Sequence, residues 1–231
     1  MLATLVANGD GTLTLTRKNQ EKLTFTAPTP ATTGLLIARA DRNGYTTSLT
    51  YTTPLTTPLL SRVTDAAGRS LAFTYDGANH IKQISDPIGR TTVYTYDTGT
   101  GDLIAARDVR GYVTSFTYAP GTHLLRTMTD PNGGTVTNVY DTDGRVTSQS
   151  DALNRTTTFS YAYAPGGPAQ AVTITDPRGY VTVDQYQGGE LASETTGAGT
   201  PQQAIWYDTY DPATLGVASV TDPNGHTSSN A

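Results

Sequence analysis

A chain of 231 residues with 15% charged residues, 23 glycines and 14 tyrosines has a β composition, since an ordinary globular domain carries about 25% charge and disordered tails or coiled coils carry more. The net charge of -5 comes without the clustered lysines and arginines that hold nucleic acid or an anionic membrane, so neither is an expected partner. The absence of cysteine excludes a disulfide framework, a thiol nucleophile and a thiolate metal site, and no stretch approaches the roughly 18 apolar residues of a spanning helix.

The first elements predicted, over residues 1–33, are introductory β-hairpins. Turn chemistry falls at Asn8-Gly9-Asp10-Gly11 and a polar tip at Arg17-Lys18-Asn19-Gln20, with Leu13, Leu15, Leu23 and Phe25 alternating with threonine around that tip. The same early turn, with no basic segment before it, is not what a signal peptide looks like. Residues 27–34 form a Pro/Thr connector, expected to be a hairpin tip. Residues 34–231 are expected to form one repeat array.

The unit of that array is clearest in Asp86-Pro87-Ile88-Gly89-Arg90-Thr91-Thr92-Val93-Tyr94-Thr95-Tyr96-Asp97. Asp86 suits the first position of a type I turn, Pro87 presets φ at the second, and Gly89 supplies the left-handed residue that closes a hairpin. The β-branched and aromatic run after it is a strand, and Tyr94 and Tyr96, two apart, share a face.

The Asp-x-x-Gly anchor recurs at Asp41-Gly44, Asp65-Gly68, Asp86-Gly89, Asp108-Gly111, Asp130-Gly133, Asp176-Gly179 and Asp222-Gly225, and Asp151-Asn154 is a version ending in asparagine. The wide gap before Asp222 holds a degenerate copy at Thr196-Gly197-Ala198-Gly199, which makes about nine repeats. Seven residues after each anchor stand Tyr51, Tyr75, Tyr96, Tyr118, Tyr140, Tyr161 and Tyr186, with Tyr207 in that place, one residue late, in the degenerate copy. Two residues earlier, Asn138 and Asp184 break an otherwise apolar position, so those repeats should pack less well. Upstream of each anchor runs a shorter strand, such as Ile81-Lys82-Gln83-Ile84, whose apolar residues are three apart; that spacing predicts a bulge. Each repeat is therefore two antiparallel strands, and the fold class is an all-β meander of hairpins in a curled or spiralling strip.

The residues that could carry chemistry have structural explanations. Successive anchor aspartates lie two strands, about 10 Å, apart, too far to share a cation, so turn formation accounts for them. Asp141-Thr142-Asp143-Gly144 lacks the remaining spacing of a calcium loop and is expected to be a tight turn. His80 and His123 sit at hairpin tips about four strands apart. No catalytic residue, cofactor site or metal site is assigned. Trp206, beside Tyr207, is the best candidate for an exposed contact. The tyrosine face has two readings, packed core or a platform for sugar rings.

The turn-and-strand run at Asp86 to Asp97, with its in-phase copies and Gly144-Arg145-Val146 leading to the next Asp, resembles the tyrosine–aspartate (YD) repeat of the RHS family. The resemblance covers residues 34–225 at least. It implies a structural, non-catalytic segment of a β-shell that encapsulates and helps deliver a C-terminal toxin or effector domain, in a larger secreted or surface protein. The implied partners are the remaining repeats and the effector domain of the same parent protein, with delivery machinery or a cell-surface glycan as further partners; the alternative is a carbohydrate- or partner-binding module. About eighteen strands roll into a ring only about 27 Å across, narrower than a folded guest of 100 residues, so the array is expected to continue past Ala231.

Overall fold

The computed structural model describes residues 3–28, 34–52, 58–163 and 169–229. The chain divides into two compact units, Met1–Thr114 and Ser115–Ala231. Each is an antiparallel meander in which strands pair with their neighbours in sequence.

In the first unit the strands are β1 (Ala3–Ala7), β2 (Leu13–Arg17), β3 (Lys22–Phe25), β4 (Leu36–Ala40), β5 (Thr46–Tyr51), β6 (Leu60–Thr64), β7 (Ser70–Tyr75), β8 (Ile81–Ser85), β9 (Thr91–Tyr96) and β10 (Leu103–Arg107). Strand β11 (Val113–Tyr118) begins at the division and pairs from Ser115 onward with β12. The second unit continues with β12 (Leu125–Thr129), β13 (Thr135–Tyr140), β14 (Val146–Ser150), β15 (Thr156–Tyr163), β16 (Ala169–Thr175), β17 (Val181–Gln187), β18 (Glu190–Thr196), β19 (Ala204–Tyr210), β20 (Val217–Thr221) and β21 (Thr227–Ser229). The all-β antiparallel meander expected from the repeats is the observed fold. Part of the Pro/Thr connector, 29–33, lies outside the described residues; its flanks close as a hairpin, with Thr26 N–H donating to Leu35 O at 2.9 Å.

A six-residue strand ending on tyrosine alternates with a five-residue strand, and the length difference is absorbed where the sequence spacing predicts it. Thr74 stands opposite Gln83 but Tyr75 opposite Ile81, which leaves Lys82 as the extra residue of the short strand. The same slip sets aside Ser61 opposite Thr50/Tyr51, Ile104 opposite Thr95/Tyr96 and Thr147 opposite Val139/Tyr140. A bulge of this kind interrupts the ladder locally.

Little of this sheet is deeply buried. Among the described residues one apolar side chain, Leu23, falls to 9% exposure, and Glu21 beside it to 6%. Glu21 accepts from Arg17 Nη1 at 2.9 Å and from Arg39 Nε, and the Arg39 bond leads the effects that hold its carboxyl below the usual range. The ring-bearing faces of both units are half-buried.

Candidate structural site: anchor turns and tyrosine clips

The anchor turns owe their shape to one carboxylate. In Asp86 the backbone N–H donates to Arg90 O and the carbonyl accepts from Gly89 N–H, both at 3.1 Å, which closes a type I turn followed by a left-handed glycine at φ 84°. The side chain then takes the two N–H groups the turn leaves over: Oδ1 accepts from Ile88 N at 3.1 Å and from Arg90 N at 2.9 Å. Asp41, Asp65, Asp108, Asp130, Asp151, Asp176 and Asp222 use Oδ1 in the same two bonds, to the residues two and four positions on. Gly44, Gly68, Gly111, Gly133, Gly179 and Gly225 hold the left-handed place, and Asn154 holds it at φ 58°.

The second carboxylate oxygen distinguishes two kinds of turn. At Asp65, Asp86 and Asp151 it accepts from the Nε of Arg69, Arg90 and Arg155 at 2.6–2.7 Å. The Arg69 and Arg155 guanidinium groups hold the carboxyls of Asp65 and Asp151 below the usual range; at Asp86 burial pushes upward, and Arg90 with the backbone donors outweighs it. At Asp41, Asp108 and Asp176 the residue after the glycine is an exposed tyrosine, Tyr45, Tyr112 or Tyr180, and the arginine sits inside the turn as Arg42, Arg110 or Arg178.

The opposite edge reuses this chemistry. Asp141 Oδ1 accepts from Asp143 N and Arg145 N at 2.9 Å, making the tight turn expected there, and Asp76 Oδ1 accepts from Ala78 N and His80 N. The side chain that closes each turn also reaches the tyrosine of the following repeat. His80, with Nδ1 3.1 Å from Asp76 Oδ2, stacks on Tyr96 at 4.6 Å, and the Arg145 guanidinium lies 4.3 Å from the Tyr163 ring and 5.6 Å from that of Tyr161. Asp76-Gly77-Ala78-Asn79 already showed this turn in the sequence, with Asn79 as its left-handed residue at φ 68°.

The tyrosines do more than fill a face. Each of five donates its hydroxyl to the carbonyl of the residue fifteen positions earlier: Tyr51 to Leu36 (2.8 Å), Tyr75 to Leu60 (2.7 Å), Tyr96 to Ile81 (3.1 Å), Tyr140 to Leu125 (2.6 Å) and Tyr161 to Val146 (2.8 Å). That carbonyl belongs to the first residue of the preceding short strand, next to the bulge, where the ladder is interrupted. A half-buried phenol thus closes the open end of each anchor-turn hairpin, joining the end of its long strand to the start of its short one, and burial pushes the Tyr51, Tyr75 and Tyr96 hydroxyls up. Tyr75→Phe is expected to cost about 1 kcal/mol by leaving the Leu60 carbonyl short of a donor, whereas the same change at exposed Tyr45 costs nothing measurable; paired thermal melts check this. Tyr118 and Tyr186 are likewise half-buried.

One tyrosine assignment is corrected. Tyr207 is 51% exposed, and Tyr210 stands at the bulge opposite Val217, in the register that Tyr75 holds against Ile81. The cause is the degenerate connection: two successive turns, closed by Thr200 N–H to Gly197 O and Gln203 N–H to Thr200 O, lengthen it and delay the strand. Asp208 therefore stands two residues before the tyrosine in that register. Trp206, at 42% exposure, has the exposure the sequence suggested.

Of the two positions that break the apolar pattern, Asn138 is fully used: Nδ2 donates to Leu125 O at 3.0 Å and Oδ1 accepts from Gln149 Nε2 at 2.9 Å. Asp184 is not, since its Oδ1 is buried without a hydrogen-bond partner. Among the described residues no group of three or more His, Cys, Asp and Glu is placed to hold a metal ion.

A meander of bulged hairpins, with Asp-anchored turns at its edges and tyrosine hydroxyls closing each anchor hairpin, defines a YD-repeat shell protein. Residues 10–205 match the profile of the Teneurin YD-shell, and the chain belongs to that family. No curated protein matches the sequence. Among solved structures, the crystal structure of TcdB2-TccC3-Cdc42 aligns with a TM-score of 0.58 at 13% identity, covering 93% of this chain and 15% of that one. TcdB2-TccC3 without its hypervariable C-terminal region aligns with a TM-score of 0.57 at 14% identity, again over 93% and 15%. At such identity the likeness is one of fold, and this chain spans about one seventh of the length of those it resembles.

Proposed function

We propose that this chain is a wall segment of a larger YD shell, which encapsulates and helps deliver a C-terminal effector domain of the same secreted or surface-displayed parent protein. The observation that carries the reading is the construction of the sheet: each hairpin is closed by its anchor turn and tyrosine hydroxyl, and repeat is joined to repeat by bulged strand pairing, while the ring-bearing faces stay only half-buried. A domain that completes itself packs a second layer on such a face, and a wall leaves it for its contents or for further turns of wall. Family membership supports the shell, and the small fraction of the matched chains that is spanned supports a partial one. The reading gives this segment no catalytic step. A sugar platform on the tyrosine face is not carried forward, because five hydroxyls are committed to backbone carbonyls and the rings are half-buried.

Limited proteolysis of the whole parent protein tests this. Its C-terminal domain is expected to resist a protease that cuts the same domain when expressed free, and to become sensitive once the wall is unfolded in mild denaturant. Equal cleavage rates in the free and parent forms would overturn the reading.

A further inference from the structure

The repeats contain the same cross-strand pair in two chemical forms. On β13 Asn138 stands two residues before its clip tyrosine and directly opposite Gln149 of β14; on β17 Asp184 stands two residues before Tyr186 and directly opposite Glu194 of β18. Asp and Glu are the acid isosteres of Asn and Gln. The amide pair is closed, at 2.9 Å between Gln149 Nε2 and Asn138 Oδ1. In the acid pair, with both groups ionised, there are only acceptors, and directly opposed side chains lie about 5 Å apart at Cβ, where like charges repel.

No cation relieves that repulsion from the neighbouring strands. Strand β16 carries no titratable side chain, and Val172 is the residue facing Asp184 from it. The other titratable groups are Tyr186 on β17, Glu190 on β18 and Tyr207, Asp208 and Tyr210 on β19, where Trp206 is opposite Glu194. Lysine, arginine and histidine are absent from all four strands.

We propose that Asp184 and Glu194 form a proton-operated clasp between β17 and β18: one proton from solvent, held between the two carboxyl groups, closes the pair as the amides close Asn138 and Gln149, and its loss toward neutral pH opens it. Burial, and then the charge of Glu194, push the Asp184 carboxyl above its ordinary range. A group raised in the folded state contributes stability that is full below the ordinary carboxylate range and is lost as pH rises through the raised value. The turn carboxylates of the same unit run the other way. Asp141, Asp151 and Asp222 are held below the ordinary range by backbone donors and their Arg or His partners, so their contribution fails only as pH falls through those lower values. Mild acid therefore closes the clasp while the turns remain intact.

The test is the melting temperature of the whole chain against pH for the native protein, Asp184→Asn, Glu194→Gln and the double variant. At pH 7.5 the double variant is expected to melt about 2–6 °C higher, with the gain shrinking as pH falls toward about 4. Each single variant should recover most of that gain, because one amide suffices to donate. In the reverse direction, Asn138→Asp with Gln149→Glu should install the same pH dependence on β13 and β14. A gain equal at every pH, or no gain at pH 7.5, would overturn the proposal, as would a reverse variant whose melting temperature does not rise on mild acidification.

Discussion

Gly133→Val is expected to lower stability by about 2 kcal/mol, and Gly99→Val by less than about 1 kcal/mol. Gly133 sits at φ 88°, where a β-branched side chain clashes with its own backbone, and nothing lies within 4 Å of an added Cβ, so the whole cost is conformational. Gly99 has no positive φ, and an added Cβ would meet Asp97 Oδ1 at 3.4 Å, a tight but ordinary contact. Asparagine is the control at position 133. It tolerates the left-handed region, as Asn154 does at φ 58° in the same place of another repeat, so Gly133→Asn should cost well under the valine change. Urea denaturation midpoints for the three variants decide it; equal losses for valine at 133 and at 99 would contradict the turn geometry.

Leu23→Ala should cost about 2–3 kcal/mol, the largest effect of any apolar truncation in the first three strands. Leu23 lies between Leu15 of β2 and Arg39 of β4 in register, and the Arg39 guanidinium is fastened to Glu21, which holds the arginine stem beside the leucine. Truncation opens a void that this fixed frame cannot collapse to fill. Each strand in such an array depends mainly on its neighbours, so the loss should be local. Hydrogen exchange is expected to show faster opening in β2 to β4 with little change in β7 to β9. Uniform acceleration across the first unit would show instead that the unit opens as one body.

Much of this was legible in the residues because the determining interactions are local. Asp86 selects its turn through bonds to Ile88 and Arg90, all within four residues, and the apolar spacing in Ile81-Lys82-Gln83-Ile84 anticipated the extra residue at Lys82. The turn at Asp76 is equally legible, since Asp76-Gly77-Ala78-Asn79 places an asparagine at the left-handed position. Tyr207 shows where counting failed, since the double turn over residues 197–203 changes length without changing composition, and phase measured from a glycine no longer predicts the face.

The sequence by itself determined the turns, the strand alternation, the bulge and the family, because each is written within one repeat and repeated in phase. Only the tertiary structure decided what the tyrosine hydroxyls bind, that Tyr210 stands in the clip register, and that Asp184 faces Glu194 while Asn138 faces Gln149. Those facts depend on the register between strands, and register is set by the turn and bulge of each hairpin together, so no single residue carries it.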